Sequence, residues 1–125
     1  MNYTGNYTHE IHRGDIFMVD LGDVEGRDNS LFAKIRPCCC ISNPQCNRHS
    51  PVLSFICLTS NTTPSKMKLP TRVFVGANET GMKDSTAACE QIISVPRNAV
   101  IRFVSRLSDE TMQKIDNAIK IQLSL

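Results

Sequence analysis

The chain has 125 residues, 41% of them hydrophobic and 21% charged, and a formal net charge of +2. That length fills one domain and leaves no room for two, since a domain takes about 100–150 residues. The longest apolar stretches, residues 52–58 and 100–104, fall far short of the roughly 20 needed to cross a bilayer, and so mild a charge does not by itself name a nucleic-acid partner.

Residues 1–12 are polar and repeat Asn-Tyr-Thr, which predicts a flexible N-terminal arm ahead of a single domain over 13–125. Residues 15–21 are rich in strand formers, with Ile16, Met18 and Leu21 expected to face inward. Residues 22–35 carry Gly, Asp, Asn and Ser and read as a long loop, a feature that in compact domains is usually functional. A strand over 38–42 follows Arg36-Pro37, then a polar turn at Asn43-Pro44-Gln45 and a break at Ser50-Pro51.

Residues 52–59 form a nearly all-apolar third strand. A second loop spans 60–70, after which 72–75 alternates as a strand. Gly76 and Gly81 flank a turn, and 87–95 and 100–107 are two further strands separated by Pro96-Arg97-Asn98. Ser108 is a good N-cap for a terminal helix, with Asp109 and Glu110 at the positive end of its dipole. Met112, Ile115, Ala118, Ile119 and Leu123 then repeat near the helical period. Short strands followed by one helix indicate a mainly β fold, a small barrel-like sheet with a helix against it.

Charge is unevenly distributed. Between Asn29 and Asn78 there is no Asp or Glu, while Lys34, Arg36, Arg48, Lys66, Lys68 and Arg72 all fall there. Such a stretch either attracts phosphate or forms a solvated basic surface. The first fourteen residues lack the apolar core of a secretory signal, so a cytoplasmic location is expected. There the six cysteines would be free thiols, and the Asn-x-Thr triplets at Asn2, Asn6, Asn61 and Asn78 would meet no glycosylation machinery.

Arg13-Gly14-Asp15, Ile35-Arg36-Pro37, Ser50-Pro51, Leu58-Thr59, Lys68-Leu69-Pro70-Thr71, Cys89-Glu90-Gln91-Ile92 and Asp116-Asn117-Ala118 occur in the order seen in MazF/PemK toxins, and from about residue 11 onward the chain resembles that family. The resemblance implies an SH3-like small β-barrel of the MazF/PemK/CcdB type and a homodimer. It also implies sequence-specific, metal-independent endoribonuclease activity on single-stranded mRNA, with no cofactor, restrained by a MazE-like antitoxin. Arg36 and Thr59 align with the family's catalytic arginine and threonine. The chain departs from the family before Arg36, where Gly26-Arg27-Asp28-Asn29-Ser30 and about three extra residues replace a Gly-Ser-Glu-Gln-like loop.

The chemistry suits these residues. RNA carries its own nucleophile, the 2′-hydroxyl, so a protein need only align it with the neighbouring phosphate and stabilise the crowded phosphorane. Arginine's planar fork stays charged and donates two parallel hydrogen bonds, and a threonine hydroxyl adds a third. Asp28 is the candidate base. Arg27, Asn29, Phe32, Asn43, Ser60, Asn61, Glu90 and Gln91 are candidates for RNA contact, although Ser60 and Asn61 could equally form a turn, and Glu90 and Gln91 could brace the sheet. Phe17 either stacks on a base or packs a face of the sheet, with Phe32 the better stacker.

Other chemistries fit less well. In a strand Cys38, Cys39 and Cys40 alternate faces, so at most two converge on one metal ion, and they read as small apolar fillers. His9, His12 and His49 lie in an arm or a loop with no rigid frame for a two-histidine ribonuclease. The alternatives to a nuclease are a non-catalytic CcdB-like toxin that poisons gyrase, which shares the implied fold, and an RNA-binding regulator.

Overall fold

The computed structural model describes residues 10–22, 35–60 and 68–125. The candidates Arg27, Asp28, Asn29, Phe32 and Asn61, and residues 1–9 of the expected arm, lie outside them. Six strands form one antiparallel sheet: β1 (Asp15–Asp20), β2 (Ile35–Cys40), β3 (Val52–Thr59), β4 (Arg72–Val75), β5 (Ser85–Pro96) and β6 (Val100–Arg106). Their spatial order is β4-β5-β3-β2-β1-β6. Among the described residues the sheet is not closed, and β4 and β6 are its edges. Three α-helices accompany it among the described residues, α1 (Pro44–His49), α2 (Ala77–Thr80) and α3 (Asp109–Leu123), with a 3-10 turn at Arg97–Ala99. None in the described residues is long and apolar enough to cross a membrane.

Each face of the sheet carries a buried cluster. On one face Ile16, Cys39, Ile56, Leu58, Val73, Val75, Ala87 and Cys89 pack against Met112, Ile115 and Ala118 of α3, the apolar stripe that the helical period marks out. On the other face Phe17, Val19, Cys38, Cys40, Leu53, Phe55, Cys57, Val95 and Val100 form a second cluster with Ile11 and Ala99. Phe17 meets Phe55 and Phe103 edge to face at centroid distances of 6.2 and 5.8 Å, a favoured aromatic geometry.

The two-sided core corrects several expectations. Phe17 and Val19 are fully buried while Met18 and Leu21 are only half-buried, because a strand covered on both faces does not obey a one-face alternation. Ile11 is 6% exposed, so packing begins inside the segment read as an arm. β2 starts at Ile35 rather than Cys38. The turn expected at Asn43-Pro44-Gln45 opens α1, in which Asn43 Oδ1 accepts from the Cys46 amide at 2.9 Å and Pro44 occupies the first turn, where its missing N–H costs nothing. The Gly76–Gly81 turn encloses α2, and Gly81 closes it at φ 72°, a conformation glycine adopts without strain.

Charged side chains tie the elements together. Asp15, 1% exposed, accepts from Arg106 Nε at 2.6 Å and from the His12 amide at 2.9 Å, joining the chain's start to β6. Arg97 donates to the carbonyls of Asn47 and Ser50 at 2.7 and 2.8 Å, satisfying the open end of α1. Glu79 of α2 accepts from the Ser108 amide at 2.8 Å and from the Thr111 hydroxyl, a second cap on α3 beyond Ser108 itself.

Candidate active site

Arg36 lies near the start of β2 and Thr59 at the end of β3, and the sheet register brings them together. The β2–β3 ladder pairs Cys40 with Phe55, Cys39 with Ile56 and Cys38 with Cys57. Continued by two residues, it sets Arg36 opposite Thr59. The recorded pairing stops at Cys38, next to Pro37, which has no N–H to contribute. Beyond that point Arg36 Nη2 reaches the Leu58 carbonyl at 3.5 Å. Both side chains are half-buried, and both stand on the face of Cys38 and Cys57, since residues two apart in a strand share a face.

The row runs the width of the sheet. Arg36 pairs with Val19 of β1, Thr59 with Thr86 of β5, and Thr86 with Phe74 of β4. Thr86 is fully buried and Phe74 is 51% exposed. Val73 and Val75 point to the helix side, which places Phe74 on the same face as Arg36 and Thr59.

Four of the other described arginines are committed to partners, and Arg48 and Arg102, which like Arg36 meet no carboxylate among the described residues, are exposed where Arg36 is half-buried. Arg13 is paired with Asp116, Arg72 with Glu90 and Arg106 with Asp15, and Arg97 is spent on helix carbonyls. Among the described residues the Arg36 guanidinium has no carboxylate partner and makes only the long contact to the Leu58 carbonyl. A guanidinium so placed is available to a phosphate.

Glu90 and Gln91 occupy an irregularity of β5, where pairing jumps from Ala88 opposite Cys57 to Ile92 opposite Ile56. Counting alternation from each side of this bulge puts both side chains on the Arg36 face, as bulges re-aim side chains. Glu90 accepts from the Thr71 hydroxyl at 2.9 Å and from Arg72 Nε at 2.6 Å. Partial burial pushes its carboxyl up, but the bonds from Arg72 and Thr71 outweigh it and hold the pKa below the ordinary value. The bracing role is therefore the one the geometry shows for Glu90. Gln91 is half-buried beside it.

The remaining candidates divide by position. Ser60 is exposed next to Thr59. Asn43 lies past the far end of β2, committed to capping α1, and is not brought to the Arg36–Thr59 pair. His49 is exposed at the end of α1. Phe17 is sealed in the core. Four buried cysteines are poor nucleophiles: the Cys57 thiol and burial push Cys38 up, burial pushes Cys39 and Cys40 up, and burial raises Cys89 to about 12. Sequence reasoning missed the Arg72–Glu90 link and the exposure of Phe74; the alternation of residues 72–75 holds the signal for the second, the sequence none for the first.

Residues 12–123 match the family of PemK-like, MazF-like toxins of type II toxin-antitoxin systems. The chain is 34% identical over 116 residues to Endoribonuclease EndoA of Bacillus subtilis, covering 92% of this chain and 96% of that one. It is 33% identical over 116 residues to Endoribonuclease MazF of Staphylococcus saprophyticus, covering 92% of each. Among solved structures it resembles MazF of Deinococcus radiodurans with a TM-score of 0.76 at 13% identity, over 94% of this chain and 99% of that one. An endoribonuclease in complex with its cognate antitoxin from Mycobacterial species superposes with a TM-score of 0.74 at 22% identity, over 92% of this chain and 96% of that one. Matched along nearly its whole length, the chain belongs to the PemK-like, MazF-like family of type II toxins.

Proposed function

We propose that this protein is the toxin of a toxin–antitoxin pair and an endoribonuclease that cuts single-stranded mRNA at specific sequences. The observation that carries this reading is the placement of Arg36 and Thr59 across β2 and β3 on one face, with Arg36 held by no carboxylate among the described residues. Two relatives named as endoribonucleases, each about one-third identical over most of the chain, support it.

In the proposed reaction Arg36 binds the scissile phosphate through its paired N–H groups, and the Thr59 hydroxyl donates to the same phosphate. The ribose 2′-oxygen gives up its proton to a base and attacks the adjacent phosphorus, and the 5′-oxygen leaves and takes a proton from water, giving a 2′,3′-cyclic phosphate and a 5′-hydroxyl. Because the nucleophile belongs to the substrate, charge stabilisation and alignment suffice, and no metal or cofactor is needed. Arginine acts here as an electrostatic group, since its pKa above ~12 suits it poorly to proton transfer. Asp28 is proposed as the base, and Arg27, Asn29, Phe32, Asn43, Ser60, Asn61, Glu90 and Gln91 as RNA-contact residues, Glu90 also holding the bulge.

The same reading makes the protein a single domain over residues 13–125 with an SH3-like curl of its sheet, a homodimer, cytoplasmic, and blocked by a MazE-like antitoxin. The test is direct. Purified protein incubated with mixed RNA and EDTA should cut at a few short sites and leave the stated ends, and a 2′-deoxy nucleotide before the cut should block cleavage there. Turnover abolished by the chelator, or RNA left intact, would overturn it.

A further inference from the structure

Phe74 has no role in the reading so far, yet its place is unusual for a phenylalanine. It stands in the row Phe74, Thr86, Thr59, Arg36, two strands from Thr59, a separation of roughly 10 Å at the usual interstrand spacing. Its strand neighbours Val73 and Val75 are 8% and 0% exposed, while Phe74 is 51% exposed. A Cβ built on Gly76 would lie 3.7 Å from Phe74 Cε2 and 2.5 Å from Asn78 Oδ1, so the Asn78 side chain flanks that edge of the ring and brings a polar group to it. Phe103, also exposed, packs edge to face on Phe17. Arg72, on the same face, is held by Glu90 and brings no unpaired charge.

We propose that Phe74 is a base-stacking residue, receiving a base of the single-stranded RNA one or two nucleotides from the phosphate bound by Arg36 and Thr59. The proposal rests on the nuclease reading above and extends it to a subsite. An aromatic ring accepts any base through its π face, so the contact fixes the path of the strand and contributes affinity, while hydrogen-bonding groups select the sequence. Thr86, in the middle of the row, is fully buried, so a strand bridging its two ends meets a cation at one and a ring at the other without touching the threonine, the pairing that single-stranded nucleic acid recognition employs.

The protein has no tryptophan, which makes the test clean. Phe74→Trp supplies the chain's one indole, and its emission should fall on saturation with an RNA of the mapped cleavage sequence carrying a 2′-deoxy nucleotide before the cut. Phe74→Ala should weaken binding of that RNA by about 5- to 100-fold with an unchanged thermal midpoint, and Phe74→Tyr should retain it. Unchanged emission at saturation, or wild-type RNA affinity in Phe74→Ala, overturns the proposal. So does altered self-association of Phe74→Ala with RNA affinity intact, which would assign the ring to an interface between copies. If the wild-type protein itself neither binds nor cuts RNA, the nuclease reading falls first and the subsite with it.

Discussion

At the scale of single residues, the proposed function rests on the half-buried Arg36 guanidinium, which meets no carboxylate among the described residues. Arg36→Ala should lower the cleavage rate by about 10²–10³-fold, the usual effect of deleting a charge-stabilising donor, without shifting the thermal midpoint by more than a few degrees. Arg36→Lys should recover little, because an ammonium cannot bind a phosphate with a paired fork. Rates from end-labelled RNA check both, and full activity in Arg36→Ala would remove the mechanism. Phe17 is the contrasting case. Its burial between Phe55 and Phe103 predicts that Phe17→Ala destabilises by about 3–5 kcal/mol in urea titration, whereas Phe74→Ala should cost almost nothing in the same assay.

At the scale of elements, α3 is held at its start by two side chains, one of them from outside the helix. Glu79 receives the Ser108 amide and the Thr111 hydroxyl. Burial pushes its carboxyl up, but these bonds prevail and leave its pKa below the ordinary 4.5. A folded-state pKa lower than the unfolded one adds stability that is complete above the unfolded value and fades as pH falls through the folded value. Urea midpoints of the wild type should therefore drop below about pH 4.5 more steeply than those of Glu79→Gln. Identical slopes would show that the carboxylate contributes nothing as an ion.

The elements also show what could be read in advance. The alternation of residues 72–75, the capped start of α3 and the punctuation at Pro96-Arg97-Asn98 are local signals, and the structure follows them. α1 escaped because six residues are too few to display a helical period, although Asn43-Pro44 carries a cap and an N-terminal proline. The opening of β2 escaped because Pro37 marks a break in one ladder while the strand continues along the other. The Arg36–Thr59 pair depends on register between segments separated by a turn and a helix, and only family resemblance carried that information in the sequence. The Arg72–Glu90 link depends on a bulge that no composition announces.

At the scale of the whole molecule, a sheet with edges at β4 and β6 is joined to the chain's start by Asp15. Asp15→Asn removes the charge from the Arg106 bond while keeping the shape, and should cost about 1.5–3 kcal/mol, the range for hydrogen bonds to charged groups. A urea midpoint equal to the wild type would show that the link is merely surface contact. Five of the six cysteines are buried and only Cys46 is partly exposed. The sulfurs thus form a built-in clock for opening. Under a slow alkylating reagent, intact mass should advance by one label while the fold persists, then by the other five together once the sheet lets solvent in. A ladder of intermediate masses would instead reveal strands that peel away one at a time.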